Sequence, residues 1–186
     1  MAARRLLTRT AATGGAMLSC AAALALAPAG PSAAATASVP PCRTSGLVIW
    51  LDDEAGGGTA GSIYYKLELT NLSGHVCALR GYPGVSAVDL RGRRLGGGAS
   101  REISRRPPRS VALASGSATL ADGTTATAVL RILDAGAIVG CRPQMAAGLL
   151  VRPPGQTLAK VVPFPFEACT RARESNLTVG ALAPQG

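Results

Sequence analysis

Between Ile63 and Thr70 the chain alternates strictly: Ile63, Tyr65, Leu67 and Leu69 on one parity, Tyr64, Lys66, Glu68 and Thr70 on the other. A period of two gives an extended strand one dry and one wet face, and this is the clearest strand in the sequence. Thr124 to Leu133 repeats the pattern, with Ala126, Ala128, Leu130 and Ile132 opposed to Thr125, Thr127 and Arg131. Shorter runs at 46–51, 85–90, 110–114, 149–152, 158–162 and 177–182 are separated by Gly, Pro and Asp. Seven to eight short strands with turn signals between them predict an all-β fold, an immunoglobulin-like antiparallel β-sandwich. A small β-barrel is the alternative.

The N-terminus sets the compartment in which these strands fold. Arg4, Arg5 and Arg9 precede an apolar run from Ala16 to Ala27, too short to span a membrane, and Ala35-Thr36-Ala37 has the form of a cleavage site. Residues 1–37 therefore read as a cleaved secretory signal peptide, and 38–186 as one domain of ordinary size. Cys20 lies within the apolar run after Met17-Leu18-Ser19, a poor lipobox, so no lipid anchor is expected. The Arg4-Arg5 pair fits a twin-arginine route only loosely, which leaves general export as the expected path. No other stretch is apolar for long enough to cross a bilayer. The expected location is extracellular, with at most loose attachment to the cell wall.

Four cysteines then remain: Cys42, Cys77, Cys141 and Cys169, an even number in an oxidising compartment. Their separations of 35, 64 and 28 residues contain no C-x-x-C pair, and His75 is the single histidine, so two disulfides are expected rather than a metal site. Three connectivities are open. The favoured one joins Cys42 to Cys77 and Cys141 to Cys169, each bridge adding about 3.5 to 4 kcal/mol on the chain-entropy account.

In Tyr82-Pro83-Gly84-Val85, proline presets φ at the second turn position and glycine supplies a positive φ at the third, which predicts a type II corner. Pro154-Gly155 repeats the device. Cys77 and Leu79 share one face of the strand leading into the first corner. Trp50 is expected in the core beside a disulfide, with an exposed anchor as the alternative.

Several stretches also carry a resemblance. Leu67-Glu-Leu-Thr-Asn-Leu-Ser, Cys77-Ala-Leu-Arg-Gly-Tyr-Pro-Gly-Val-Ser, Ala128-Val-Leu-Arg-Ile, Cys141-Arg-Pro, Gly148-Leu-Leu-Val-Arg-Pro-Pro-Gly-Gln-Thr and Val162-Pro-Phe closely resemble domain-of-unknown-function family 4232. The likeness runs from Cys42 to about Val179. It implies a β-sandwich-like domain, secreted or envelope-associated, of high-GC Gram-positive bacteria. It brings no activity and no catalytic residues. Many members are lipoproteins or carry further domains, and neither is expected here.

Enzyme chemistry finds little footing. No G-x-S-x-G elbow accompanies His75, which sits in a Ser73-Gly74-His75 turn, so no catalytic residue is expected. Asp52, Asp53 and Glu54 before Gly56-Gly57-Gly58 lack EF-hand spacing and read as a charged loop, and no metal or other cofactor is expected. The sequons at Asn71 and Asn176 read as incidental.

Charge is the better lead. Loss of Arg4, Arg5 and Arg9 takes the basic residues from 19 to 16 against 10 acids, a net +6, and all but Lys66 and Lys160 are arginine. Arg91, Arg93, Arg94, Arg101, Arg105, Arg106 and Arg109 crowd an arginine-rich loop at 91–109 that contains one acid, Glu102. Guanidinium groups bind phosphate and carboxylate in bidentate fashion, so the expected partner is an anionic cell-wall polymer or an extracellular protein. Nucleic acid is not expected, because no aromatic residue lies between Tyr82 and Phe164 to stack bases. The sequence thus reads as a secreted, non-catalytic binding domain. The alternative is a secreted protease inhibitor that presents Arg105 or Arg106 to an acidic specificity pocket.

Overall fold

Alternation, glycine and edge proline account for most of the backbone. The computed structural model describes residues 38–52, 57–101, 116–171 and 173–185. In chain order the strands are β1 (Leu47–Asp52), β2 (Gly58–Thr59), β3 (Ser62–Asn71), β4 (Cys77–Arg80), β5 (Gly84–Val88), β6 (Arg94–Gly98) and β7 (Ser100–Arg101). They continue with β8 (Ser117–Leu120), β9 (Thr125–Leu133), β10 (Pro143–Arg152), β11 (Lys160–Cys169), β12 (Leu177–Val179) and β13 (Ala183–Pro184).

Among the described residues these form a large sheet ordered β1-β3-β9-β12-β7, a four-stranded sheet ordered β11-β10-β5-β6, and a β4-β8 pair. In the large sheet β2 adds to β3, and β13 adds to β9. The runs β1-β3-β9 and β11-β10-β5 correspond to the A-B-E and G-F-C strands of an immunoglobulin-type sandwich, in the same chain order. The fold is a β-sandwich as expected, and among the described residues no barrel closes.

The core lies where the two inner faces meet. From β9 come Ala126, Ala128, Leu130 and Ile132, as the alternation predicts. Leu67 and Leu69 of β3 meet Leu149 and Val151 of β10, Val85 and Ala87 of β5, and Val162 of β11. A bulge in β10 between Ala146 and Gly148 moves the buried parity from Ala146 to Leu149 and Val151.

Both disulfides form as favoured, Cys42 with Cys77 and Cys141 with Cys169. The first ties the N-terminal segment to β4, where Cys42 N–H donates to the Ala78 carbonyl at 3.0 Å. Two buried asparagines pin further corners. Asn71 Nδ2 donates to the carbonyls of His75 (2.7 Å) and Leu120 (3.1 Å), and Asn176 Nδ2 donates to those of Leu133 (2.9 Å) and Glu167 (2.8 Å). Both sequon asparagines are thus spent inside the fold.

The structure corrects four expectations. Trp50 is 50% exposed, because β1 turns Ile49 and Leu51 inward and leaves Val48 and Trp50 on the outer face of an edge strand. The expected strand 158–162 runs instead from Lys160 to Cys169, since β11 is an edge strand that tolerates Pro163 and Pro165.

The type II corner at Tyr82-Pro83-Gly84 does not form. Gly84 already belongs to β5, paired with Arg152, and the positive φ falls on Gly81 at +99°. The segment carries the chain from the β4-β8 pair to the four-stranded sheet rather than closing a hairpin. At Pro154-Gly155 the device works, with Gly155 at φ +70° and Gln156 N–H donating to the Pro153 carbonyl at 3.1 Å between β10 and β11.

The fourth correction concerns the arginine-rich loop, of which 94–98 and 100–101 are strands β6 and β7. The glycines there serve close packing: Gly97 N–H donates to the Glu174 carbonyl at 2.6 Å. The expected strand 110–114 lies outside the described residues.

Candidate functional site

The arginines do not act as one patch. Arg91 and Arg93 sit in the hairpin between β5 and β6, where Asp89 accepts the backbone N–H of each at 2.9 Å and Arg93 Nε at 2.8 Å. Arg93 Nη2 also pairs with Asp89 at 2.8 Å. The N–H of Arg93, aided by its guanidinium and the Arg91 N–H, holds the Asp89 carboxyl below the usual aspartate range. One of the seven expected charges is therefore neutralised by an acid two residues before the window. Arg105, Arg106 and Arg109 lie outside the described residues, and the inhibitor reading goes with them.

What the fold assembles lies along the start of β5. Arg101 of β7 places its guanidinium 5.4 Å from the centre of the Tyr82 ring, a cation–π contact. Arg152 of β10 is the register partner of Gly84. Arg94 of β6 lies along its own strand, and its Nη2 comes 3.6 Å from the point a Cβ would occupy at Gly98, the partner of Ser86. Three arginines thus meet alternate positions 82, 84 and 86.

Arg94 and Arg152 line one cavity of about 130 Å³ on the outer face of the four-stranded sheet, together with Ser86 and Leu150 and, among the described residues, with no acid. Arg152 Nε donates to the Thr157 carbonyl at 3.1 Å, which fixes the guanidinium while leaving its Nη groups. Arginine stays charged at any physiological pH, so the site is permanently cationic. Arg152 and Ser86 were not singled out from sequence. Arg152 lies far from the arginine-rich segment, and only the register of β10 on β5 brings it there.

A larger cavity of about 550 Å³ opens between the sheets. Tyr65 of β3 packs edge-on against Phe164 of β11, centroids 4.9 Å apart, and Phe166 follows at 6.1 Å from Phe164. Ile63, Ile132 and Leu133 add to the apolar lining, and Asp134 and Glu167 also line the cavity. The Asp134 carboxylate accepts the Gly136 N–H at 2.9 Å.

His75 is exposed at the turn expected for it. Asp53, Glu54 and Gly56 of the acidic loop lie outside the described residues. Among the described residues no cluster of His, Cys, Asp and Glu gathers to hold a metal ion, and no helix is long and apolar enough to cross a membrane.

A family model described as "Domain of unknown function (DUF4232)" matches residues 42–183. The chain belongs to the DUF4232 family. That match takes in both disulfides, the Tyr82 corner and the Arg94–Arg152 cavity. No curated protein and no solved structure matches this DUF4232 chain.

Proposed function

We propose that this DUF4232 protein is an exported, non-catalytic binding domain that associates with the cell envelope through an anionic wall polymer. The observation that carries the reading is the succession of Arg101, Arg152 and Arg94 at positions 82, 84 and 86, with no acid among the described residues lining the cavity between the last two. Guanidinium groups held on strands by register and by a backbone hydrogen bond present bidentate donors without ordering a flexible loop. Two disulfides suit an oxidising compartment, and the basic N-terminal segment followed by a short apolar run suits export.

A polyanion that passes over this face meets several fixed charges at once, so binding should be multivalent and salt-sensitive. The test is co-sedimentation of the purified, oxidised protein with the organism's own wall fraction, at low and high salt. Pelleting at low salt that high salt reverses supports the reading. Protein that stays in the supernatant at low salt overturns it, and an acidic extracellular protein becomes the partner to seek.

A further inference from the structure

We infer that Ser86, Arg94 and Arg152 form a pocket for a single oxyanion group, a phosphate or a carboxylate, which rests on the envelope reading only for the source of that group. Ser86 is 7% exposed, and it lines the cavity beside Arg94 and Arg152. A hydroxyl in a cavity lined by two arginines offers the neutral and charged donors that an oxyanion accepts.

The backbone leaves room for the ligand at one point. A Cβ built on Gly98 would lie 3.6 Å from Arg94 Nη2, from Ser86 Oγ and from the Val85 carbonyl oxygen, so the glycine leaves both donors uncovered. Arg152 also lines the cavity, and its Nε donates to the Thr157 carbonyl at 3.1 Å. Gly84, opposite Arg152 in the register, keeps the floor low, with the Arg152 Cβ 3.6 Å from where a Cβ at position 84 would stand. The cavity of about 130 Å³ holds one such group and not a whole sugar ring with its substituents. Val85, Ala99 and Leu150 supply the apolar side of the cavity.

Gly98 offers a variant that keeps the fold. Its φ lies outside the left-handed region, and a methyl group there makes contacts at 3.6 Å, ordinary van der Waals distance. Gly98→Ala should fold as the wild type does while filling the space the oxyanion needs.

The experiment is calorimetric or NMR titration of the full oxidised protein with inorganic phosphate, glycerol phosphate and glucuronate. The wild type should bind at one saturable site. Arg94→Gln and Arg152→Gln should each weaken that site roughly tenfold, Ser86→Ala several-fold, and Gly98→Ala as much as the arginine variants. The relative affinities of the phosphate and carboxylate probes assign the source. No saturable binding by the wild type, or binding that all four variants leave unchanged, overturns the pocket. Wall co-sedimentation separates the two readings: a pocket that binds small oxyanions in a protein that ignores the wall refutes the envelope reading alone, and wall binding by a protein with no saturable small-oxyanion site refutes the pocket alone.

Discussion

Two cavities of this sandwich are built from opposite chemistry, and the difference separates what holds the protein together from what it offers to a partner. The larger lies between the sheets, walled by Tyr65, Phe164 and Phe166, rings that also pack against the core. The smaller lies on the outer face of the four-stranded sheet, walled by arginines that contribute nothing to the interior. Aromatic rings at the mouth of a Leu and Val core stabilise through area removed from water. Exposed guanidinium groups stabilise little and are suited to capture. The teaching is a division of labour: changes in the first cavity should read out in stability, changes in the second in binding.

The largest effect should come where both depend on one strut. Gly96 of β6 has φ +63°, and a Cβ there would meet the Cys169 carbonyl oxygen at 2.0 Å. Gly96→Ala should cost about 3 kcal/mol or more, detach β6 from the Cys169–Glu174 segment, and remove the Arg94 wall with it. Denaturant unfolding and oxyanion titration should fail together. Survival of either alone would show that the two regions do not share this support.

Phe164→Ala tests one arm of the division. The ring is half-buried, so the loss should be about 2 kcal/mol, below the range for a fully buried phenylalanine. Oxyanion affinity should stay within about twofold, since Phe164 faces the other sheet. Arg152→Gln tests the other arm, with affinity roughly tenfold weaker, about 1.4 kcal/mol, and unfolding unchanged within about 0.5 kcal/mol. If Arg152→Gln unfolds the protein as Phe164→Ala does, the division is wrong.

How much of this was visible in the sequence depends on whether a residue's role is set locally. Leu67, Leu69 and the four inward residues of β9 declare themselves by alternation. The same Pro-Gly chemistry succeeds at Pro154-Gly155 and fails at Pro83-Gly84, because only the former joins two neighbouring strands of one sheet. Trp50 reads as core by size, but its parity on an edge strand sends it outward. The arginine-rich segment misleads in both directions. Asp89 consumes Arg93 from just outside it, and Arg152 arrives from a distant strand by register alone. A pocket built across β5, β6 and β10 has no linear signature.

The smallest effect lies on the outer face of the large sheet, away from both cavities. Glu68 is 4% exposed, 3.5 Å from Gln185 Nε2, and burial, with Asp52 adding repulsion and Lys66 opposing, raises its pKa. A raised carboxyl pKa favours the folded state below the unfolded value, about 4.3, and that contribution is lost as pH rises through the folded value. Glu68→Gln should therefore gain stability over the wild type at neutral pH, with the difference shrinking as pH falls towards 4. A pH-independent difference between the two unfolding curves would contradict the assignment.

The most direct test of the central claim is the binding of an isolated anionic wall polymer by the oxidised protein and by an Arg94→Gln, Arg101→Gln, Arg152→Gln triple variant, each with its unfolding midpoint measured alongside. The account predicts salt-sensitive binding by the wild type, a loss of roughly a hundredfold or more in the variant, and midpoints that coincide. Equal binding by the two proteins, with both folded, would contradict it.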